Sequence, residues 1–257
     1  CKNSDKLTVD IVEGLFSDLS LEMPYYEDDN LLFIHIPRTG GSSLENYLKG
    51  KYKQTLHGFA SWPIRGNGLL PGEDGKSSFQ HLTYNSIYKY RDILKVNFND
   101  NLKVISIVRN PYDRIISDLI HIFPKRHIMA FRPNNYIRSN KTLLHNRFQM
   151  RFRHEVIEEY LYKDLYSIKQ HHGIDNHNIP QYKFLTDENE NIIPGVKIFR
   201  TESLTRELKE YGFIEYEGKD TKYTYSDYLS EDSIELITKF YKKDFELFNY
   251  FQKSEKK

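Results

Sequence analysis

An α/β fold is what the sequence predicts: a single domain whose central, mostly parallel sheet is flanked by helices. Three observations lead there. The runs "LLFIHI" (31–36), "KVISIVR" (103–109) and "GVKIFR" (195–200) are short, continuous and apolar, as strands covered on both faces are. Stretches with helical spacing separate and follow them, and strands alternating with helices imply parallel pairing. At 257 residues the chain is long enough to bury such a core.

Each element has its own signals. Residues 1–30 are polar and mixed and read as a lead-in segment ending in the turn "YYEDDN", which puts the domain at 31–251 and a tail at 252–257. "SSLENYLKG" reads as a helix with Gly50 just past its end, where a left-handed residue is favoured. Residues 61–78 are rich in Gly, Pro and Ser and predict a loop, and a helix is expected around 84–95. In "NPYDRIISDLIHIF", Asn110 suits a cap, Pro111 the first helical position and Asp113 the positive end of the helix dipole. "EVIEEYLYKDLYSI" reads as helix, and "ESLTRELKEYG" as a helix stopped by Gly212. Ser230, with Glu231 and Asp232, opens a final helix whose Ile234, Ile237, Phe240 and Tyr241 share a face.

Charge and cysteine content exclude several classes. Lys plus Arg (37) balances Asp plus Glu (36), so no global field draws nucleic acid or a membrane surface. The single cysteine, Cys1, excludes an intrachain disulfide framework and a multi-cysteine zinc site. No run of about 18 apolar residues exists to span a bilayer. Asn140-Lys141-Thr142 is a lone glycosylation-type triplet and reads as a chance match.

Two stretches carry chemistry. In "IHIPRTGGSSLENYL" (34–48) a strand end passes through a glycine turn into a helix, which aims backbone N–H groups and the helix dipole at one point. Gly40 and Gly41 admit an anion close to the backbone. Thr39, Ser42 and Ser43 offer hydroxyl donors, and Arg38 a fixed charge. That set suits phosphate, although a glycine turn with a serine cap is common in α/β proteins. Neither G-x-x-x-x-G-K-[ST] nor G-x-G-x-x-G is matched. In "VRNPYDRIISD" (108–118), Arg109 falls where a parallel strand ends, the edge at which such sheets bind ligands. Ser117 lies two turns into the following helix, so both can converge on a second phosphate.

Together the two stretches resemble the sulfotransferases that use 3′-phosphoadenosine 5′-phosphosulfate (PAPS). The likeness extends to the carbohydrate branch, which includes heparan sulfate 2-O- and chondroitin 4-O-sulfotransferases. "FQHLTYNSI" (79–87), "DNHNIPQYKFLTDENENI" (175–192), "KIFRTESL" (197–204) and "DFELFNY" (244–250) fit that branch in order, so the resemblance runs from about 31 to 251. It implies a P-loop-like core, PAPS as the sulfate donor, no metal, and in-line transfer to a hydroxyl of a carbohydrate. The first loop, Arg38 to Ser43, would hold the 5′-phosphosulfate, and Arg109 with Ser117 the 3′-phosphate. Where the family often has Lys before Thr-Gly-Gly, this chain has Arg38, which keeps the charge and changes the hydrogen-bonding geometry. Arg38 is also expected to act on the leaving phosphate.

The resemblance implies a catalytic His between the two phosphate stretches. His81 in "FQHLTYNSI" fits best as general base, with His57 in "TLHGF" as its rival. Lys222 in "KDTKYTY", in a loop that related enzymes close over the nucleotide, reads either as a phosphate contact or as a solvated surface lysine. His171, His172 and His177 in "QHHGIDNHN" match no zinc spacing and read as loop histidines of a polar cleft. From Leu119 to His154 there is no Asp or Glu, while eight Lys and Arg fall between Lys125 and Arg153. That segment reads either as a wall for an anionic glycan acceptor or as a solvated basic face. The alternatives to a sulfotransferase are a P-loop kinase or phosphotransferase, and a catalytically silent glycan-binding module. A cytoplasmic location is expected from the cysteine content. The alternative is the Golgi lumen, with an anchor absent from this stretch.

Overall fold

The computed structural model describes residues 21–52, 57–58, 79–92, 94–122, 154–162, 176–218 and 229–252. The central sheet contains β2 (Tyr25–Tyr26), β3 (Leu31–Ile34), β5 (Lys103–Val108) and β6 (Lys197–Arg200), in that spatial order. β3, β5 and β6 are parallel, with Ile34 opposite Ser106 and Val108 opposite Arg200. β2 joins β3 antiparallel, so the sheet begins inside the stretch read as a lead-in segment. Burial explains the correction: Met23, Tyr25 and Tyr26 are all enclosed, and Phe33 N–H donates to Pro24 O at 2.8 Å. A separate two-stranded ladder pairs β1 (Leu21–Glu22) with β4 (His57–Gly58).

Strand burial follows the period of two. Leu31, Phe33, Ile105, Ile107 and Phe199 pack on one face with Leu44, Leu48, Leu204 and Leu208. Leu32, Ile34, Val104 and Val108 pack on the other with Met23, Ile87, Phe184 and Phe248. Each such side chain contributes about 1.5–3 kcal/mol when fully buried, so these strands are fixed by both layers. Ser106, enclosed within β5, donates its hydroxyl to Ile34 O at 2.7 Å and so leaves no polar group stranded.

The helices are α1 (Gly41–Lys51), α2 (Tyr84–Lys89), α3 (Pro111–Ile122), α4 (His154–Tyr162), α5 (Leu204–Tyr211), α6 (Glu231–Phe240) and α7 (Lys242–Leu247). Gly50 lies inside α1, which runs on to cap at Tyr52 and places Lys49 and Lys51 in its last turn, where cations suit the dipole. α2 stops at Lys89, short of the helix expected to 95. Leu94 and Val96 both enter the cluster that holds Ile87, and residues two apart cannot share one helix face. Asn110 caps α3 through Tyr112 N at 3.0 Å, Gly212 ends α5 at φ 115°, and Ser230 caps α6 through Ser233 N at 3.2 Å. α6 is followed by α7 rather than being the last helix, and α3, α4, α6 and α7 share a third apolar cluster. Among the described residues no helix is long and apolar enough to cross a membrane.

Candidate active site

The parallel strands end on one edge, and the segments leaving them are tied together there. Thr201, just after β6, donates its hydroxyl to Thr39 O at 2.6 Å and lies 3.1 Å from Val108 O. The first loop turns sharply, with Arg38 at φ 66° and Gly40 at φ 94°. Gly40, at the N-cap of α1, brings no side-chain cap, and Ser42 and Ser43, the second and third residues of the helix, are exposed. Tyr216 donates to Ser43 Oγ at 3.2 Å. Thr39, expected to offer its hydroxyl to an anion, is enclosed and gives that hydrogen to Ile36 O at 2.8 Å. It shapes the turn, and its side chain is not presented to a ligand.

The two stretches separated in sequence meet here. Arg38 Nη2 lies 3.3 Å from Ser117 Oγ, and Arg109 Nη1 donates to Arg38 O at 3.1 Å. Arg38 Nε is buried with no hydrogen-bond partner among the described residues. Gln181 fixes the peptide of Arg109 from both sides, accepting from its N–H at 2.9 Å and donating to its carbonyl at 2.8 Å. Asp244 of α7 holds Gln181 in turn, taking the N–H groups of Gln181 and Tyr182 at 2.8 Å each. Burial pushes Asp244 up to about 6, against the pull of those donors.

Behind the loop stands a row of three imidazoles. The ring centroid of His81 is 4.9 Å from that of His35 and 5.1 Å from that of His177, edge-on to both. His35 Nδ1 pairs with Glu45 Oε1 at 2.6 Å, and Gln80 donates to Glu45 Oε2 at 2.7 Å. His177 Nδ1 pairs with Asp118 Oδ1 at 2.7 Å, and Tyr160 donates to the other oxygen of Asp118. Burial opposes the charged form of both carboxylates. For Glu45 the bond to His35 prevails, and for Asp118 the field and bond of His177 prevail, so both groups stay below their ordinary range as anions. Arg114, enclosed in α3, binds the arrangement together by donating to Pro37 O (3.1 Å), Ile179 O (2.9 Å) and His177 O (2.8 Å).

The model of the Sulfotransferase family matches residues 23–251. The chain belongs to that family. No curated protein and no solved structure gives a match. In this sulfotransferase the residues expected at the site, Arg38 to Ser43, Arg109 and Ser117, come together at the strand ends, and His81 abuts the loop through His35. His57 lies in β4, opposite Glu22 of β1 in the separate two-stranded ladder, and its side chain is not described. Lys222, His171, His172 and the basic run from Lys125 to Arg153 lie outside the described residues. Among the described residues no group of three or more His, Cys, Asp or Glu is arranged to hold a metal ion.

Sequence reasoning missed His35, Glu45, Arg114, Asp118 and Gln181. One signal was present: Arg114 and Asp118, four apart, fall among the apolar Ile115, Ile116 and Leu119, where charges are expected only with partners. Gly41 also has a second role. A Cβ there would stand 2.2 Å from His35 Cδ2 and Nε2, and Glu45 keeps that ring from swinging aside. Gly41→Ala is expected to destabilise the sulfotransferase by about 1–3 kcal/mol. Thermal unfolding checks this, and a variant melting with the wild type would mean that the ring yields freely.

Proposed function

We propose that this sulfotransferase moves a sulfuryl group from PAPS to a hydroxyl of a carbohydrate acceptor, with His81 as general base. The observation that carries the reading is the meeting of Arg38 and Ser117, 79 residues apart, beside the braced Arg109. A buried guanidinium nitrogen on Arg38 that has no partner among the described residues fits an anionic donor, because an unpaired charged donor is costly there. Bound PAPS supplies an activated sulfuryl group and a phosphate leaving group. The uncapped N-terminus of α1 and the Arg38 side chain offset the charge that grows on that phosphate. His81 takes the proton of the acceptor hydroxyl as its oxygen forms the new S–O bond. The 3′-phosphate falls to Arg109 and Ser117, with Lys222 as a further phosphate contact.

Transfer of label from PAPS across a glycan panel that includes uronic-acid polymers tests the reaction and acceptor class together. Transfer to small alcohols alone would sink the carbohydrate assignment. Stronger thermal stabilisation by ATP than by adenosine 3′,5′-bisphosphate would sink the donor. Arg109→Ala is expected to weaken adenosine 3′,5′-bisphosphate binding about 10- to 100-fold through a lost charge-assisted contact. Calorimetric titration measures it, and an unchanged Kd would remove Arg109 from the phosphate.

A further inference from the structure

The row of three imidazoles contains more machinery than one general base requires. His35 and His177 each give Nδ1 to a buried carboxylate, yet their other nitrogens meet different surroundings. His35 is 4 % exposed, and its Nε2 lies so close to Gly41 that a methyl group would not fit between them. It supports the loop. The side chain of His177 is 18 % exposed, and its ring faces His81. With Nδ1 bonded to the Asp118 carboxylate, the neutral ring carries its hydrogen on Nδ1 and leaves the Nε2 lone pair for a proton. Asp118 is itself fixed by Tyr160, and the backbone of His177 by Arg114. A solvated loop histidine needs none of these supports.

We infer that the Asp118–His177 pair receives the acceptor's proton from His81. This rests on the reading of His81 as general base. As the acceptor O–H bond breaks, one nitrogen of His81 gains the proton. The acceptor oxygen bonds to sulfur, and the S–O bond to the 5′-phosphate breaks with its electron pair on the phosphate. The opposite nitrogen of His81 then releases a proton to His177 Nε2, where the Asp118 carboxylate stabilises the imidazolium. His81 returns to its neutral form before the product nucleotide leaves. His177 thus acts through His81, as a positioning and proton-accepting partner.

Steady-state kinetics with labelled PAPS and a uronic-acid polymer test this on His177→Ala, His177→Gln, Asp118→Asn and His81→Ala, alongside histidine ¹⁵N NMR of the wild type. Both His177 variants are expected to lose about 10- to 100-fold in kcat. KM for PAPS should stay within about twofold, and added imidazole should restore part of the His177→Ala loss. Asp118→Asn should lower kcat likewise, by releasing the tautomer. An unchanged kcat in the His177 variants, or a matching rise in KM for PAPS, would overturn the inference. If His81→Ala is inactive while the His177 variants are normal, the base reading stands and this inference falls. If His81→Ala is active, the base reading falls and this inference falls with it. His177→Gln, which keeps an N–H for Asp118, carries the test should the alanine variant fail to fold. NMR needs no acceptor: a His177 ring protonated on Nε2 and bare on Nδ1 would overturn the proposal outright.

Discussion

His81→Ala is expected to lower turnover by about 10²- to 10⁴-fold, the range that a positioned general base supplies. Binding of adenosine 3′,5′-bisphosphate should survive, because the groups proposed to meet its phosphates lie on the loop, on α3 and at the end of β5, where Ser117 meets Arg38, and Gln181 and the Arg38 carbonyl hold Arg109. The split between the two readouts is the informative part. A loss of both would point to a collapsed loop, since the His81 ring packs against His35 and His35 against Gly41. Titration of the product nucleotide beside turnover with labelled PAPS separates these cases. Near-normal turnover would take His81 out of the role, and the same assay on His57→Ala would show whether its rival fills it.

The largest effect on stability is expected at Arg114. Its guanidinium reaches three backbone carbonyls, Pro37 before the loop and His177 and Ile179 on the segment opposite. Its charge also favours the ionised forms of the buried Asp118 and Asp244. Arg114→Ala removes all of this at once, taking the donor from three backbone carbonyls and part of the compensating charge from Asp118 and Asp244. A loss of about 3–5 kcal/mol is expected, comparable to breaking a buried ion pair, with a fall in Tm on the order of 10 °C. Arg114→Lys keeps the charge but not the planar fork, so it should recover only part of the loss. Calorimetric melting measures both variants. A Tm within a degree or two of wild type for Arg114→Ala would mean that the three carbonyls find other donors.

The parts legible in the sequence were those in which neighbouring residues report one another. Continuous apolar runs marked β3, β5 and β6, and the caps at Asn110, Gly212 and Ser230 marked helix ends, because both signals are local. The glycine turn and the strand-end arginine were legible for the same reason. What could not be read is what depends on distant partners. Tyr25 and Tyr26 join the sheet because β3 offers a free edge, which no local pattern announces. Gly50 stays helical because α1 continues to Lys51, outweighing the preference of glycine for helix ends. His177 looked like one of several loop histidines, since Asp118 and Arg114 reach it from 59 and 63 residues away. Thr39 was misjudged because a threonine beside two glycines gives no sign of which way its hydroxyl turns.

The brace beneath Arg109 has a consequence for the order in which the molecule can be completed. The peptide of Arg109 is held by Gln181, and Gln181 by Asp244. As a ribosome makes this stretch, the glycine loop and the strand bearing Arg109 emerge long before Asp244 does. Until then Gln181 lacks its hold on Asp244, and Arg109 lacks its final constraint. A nascent chain therefore carries Arg38, Arg109 and Ser117 well before it carries the brace that fixes Arg109. The brace beneath Arg109 is completed late, with the docking of α7.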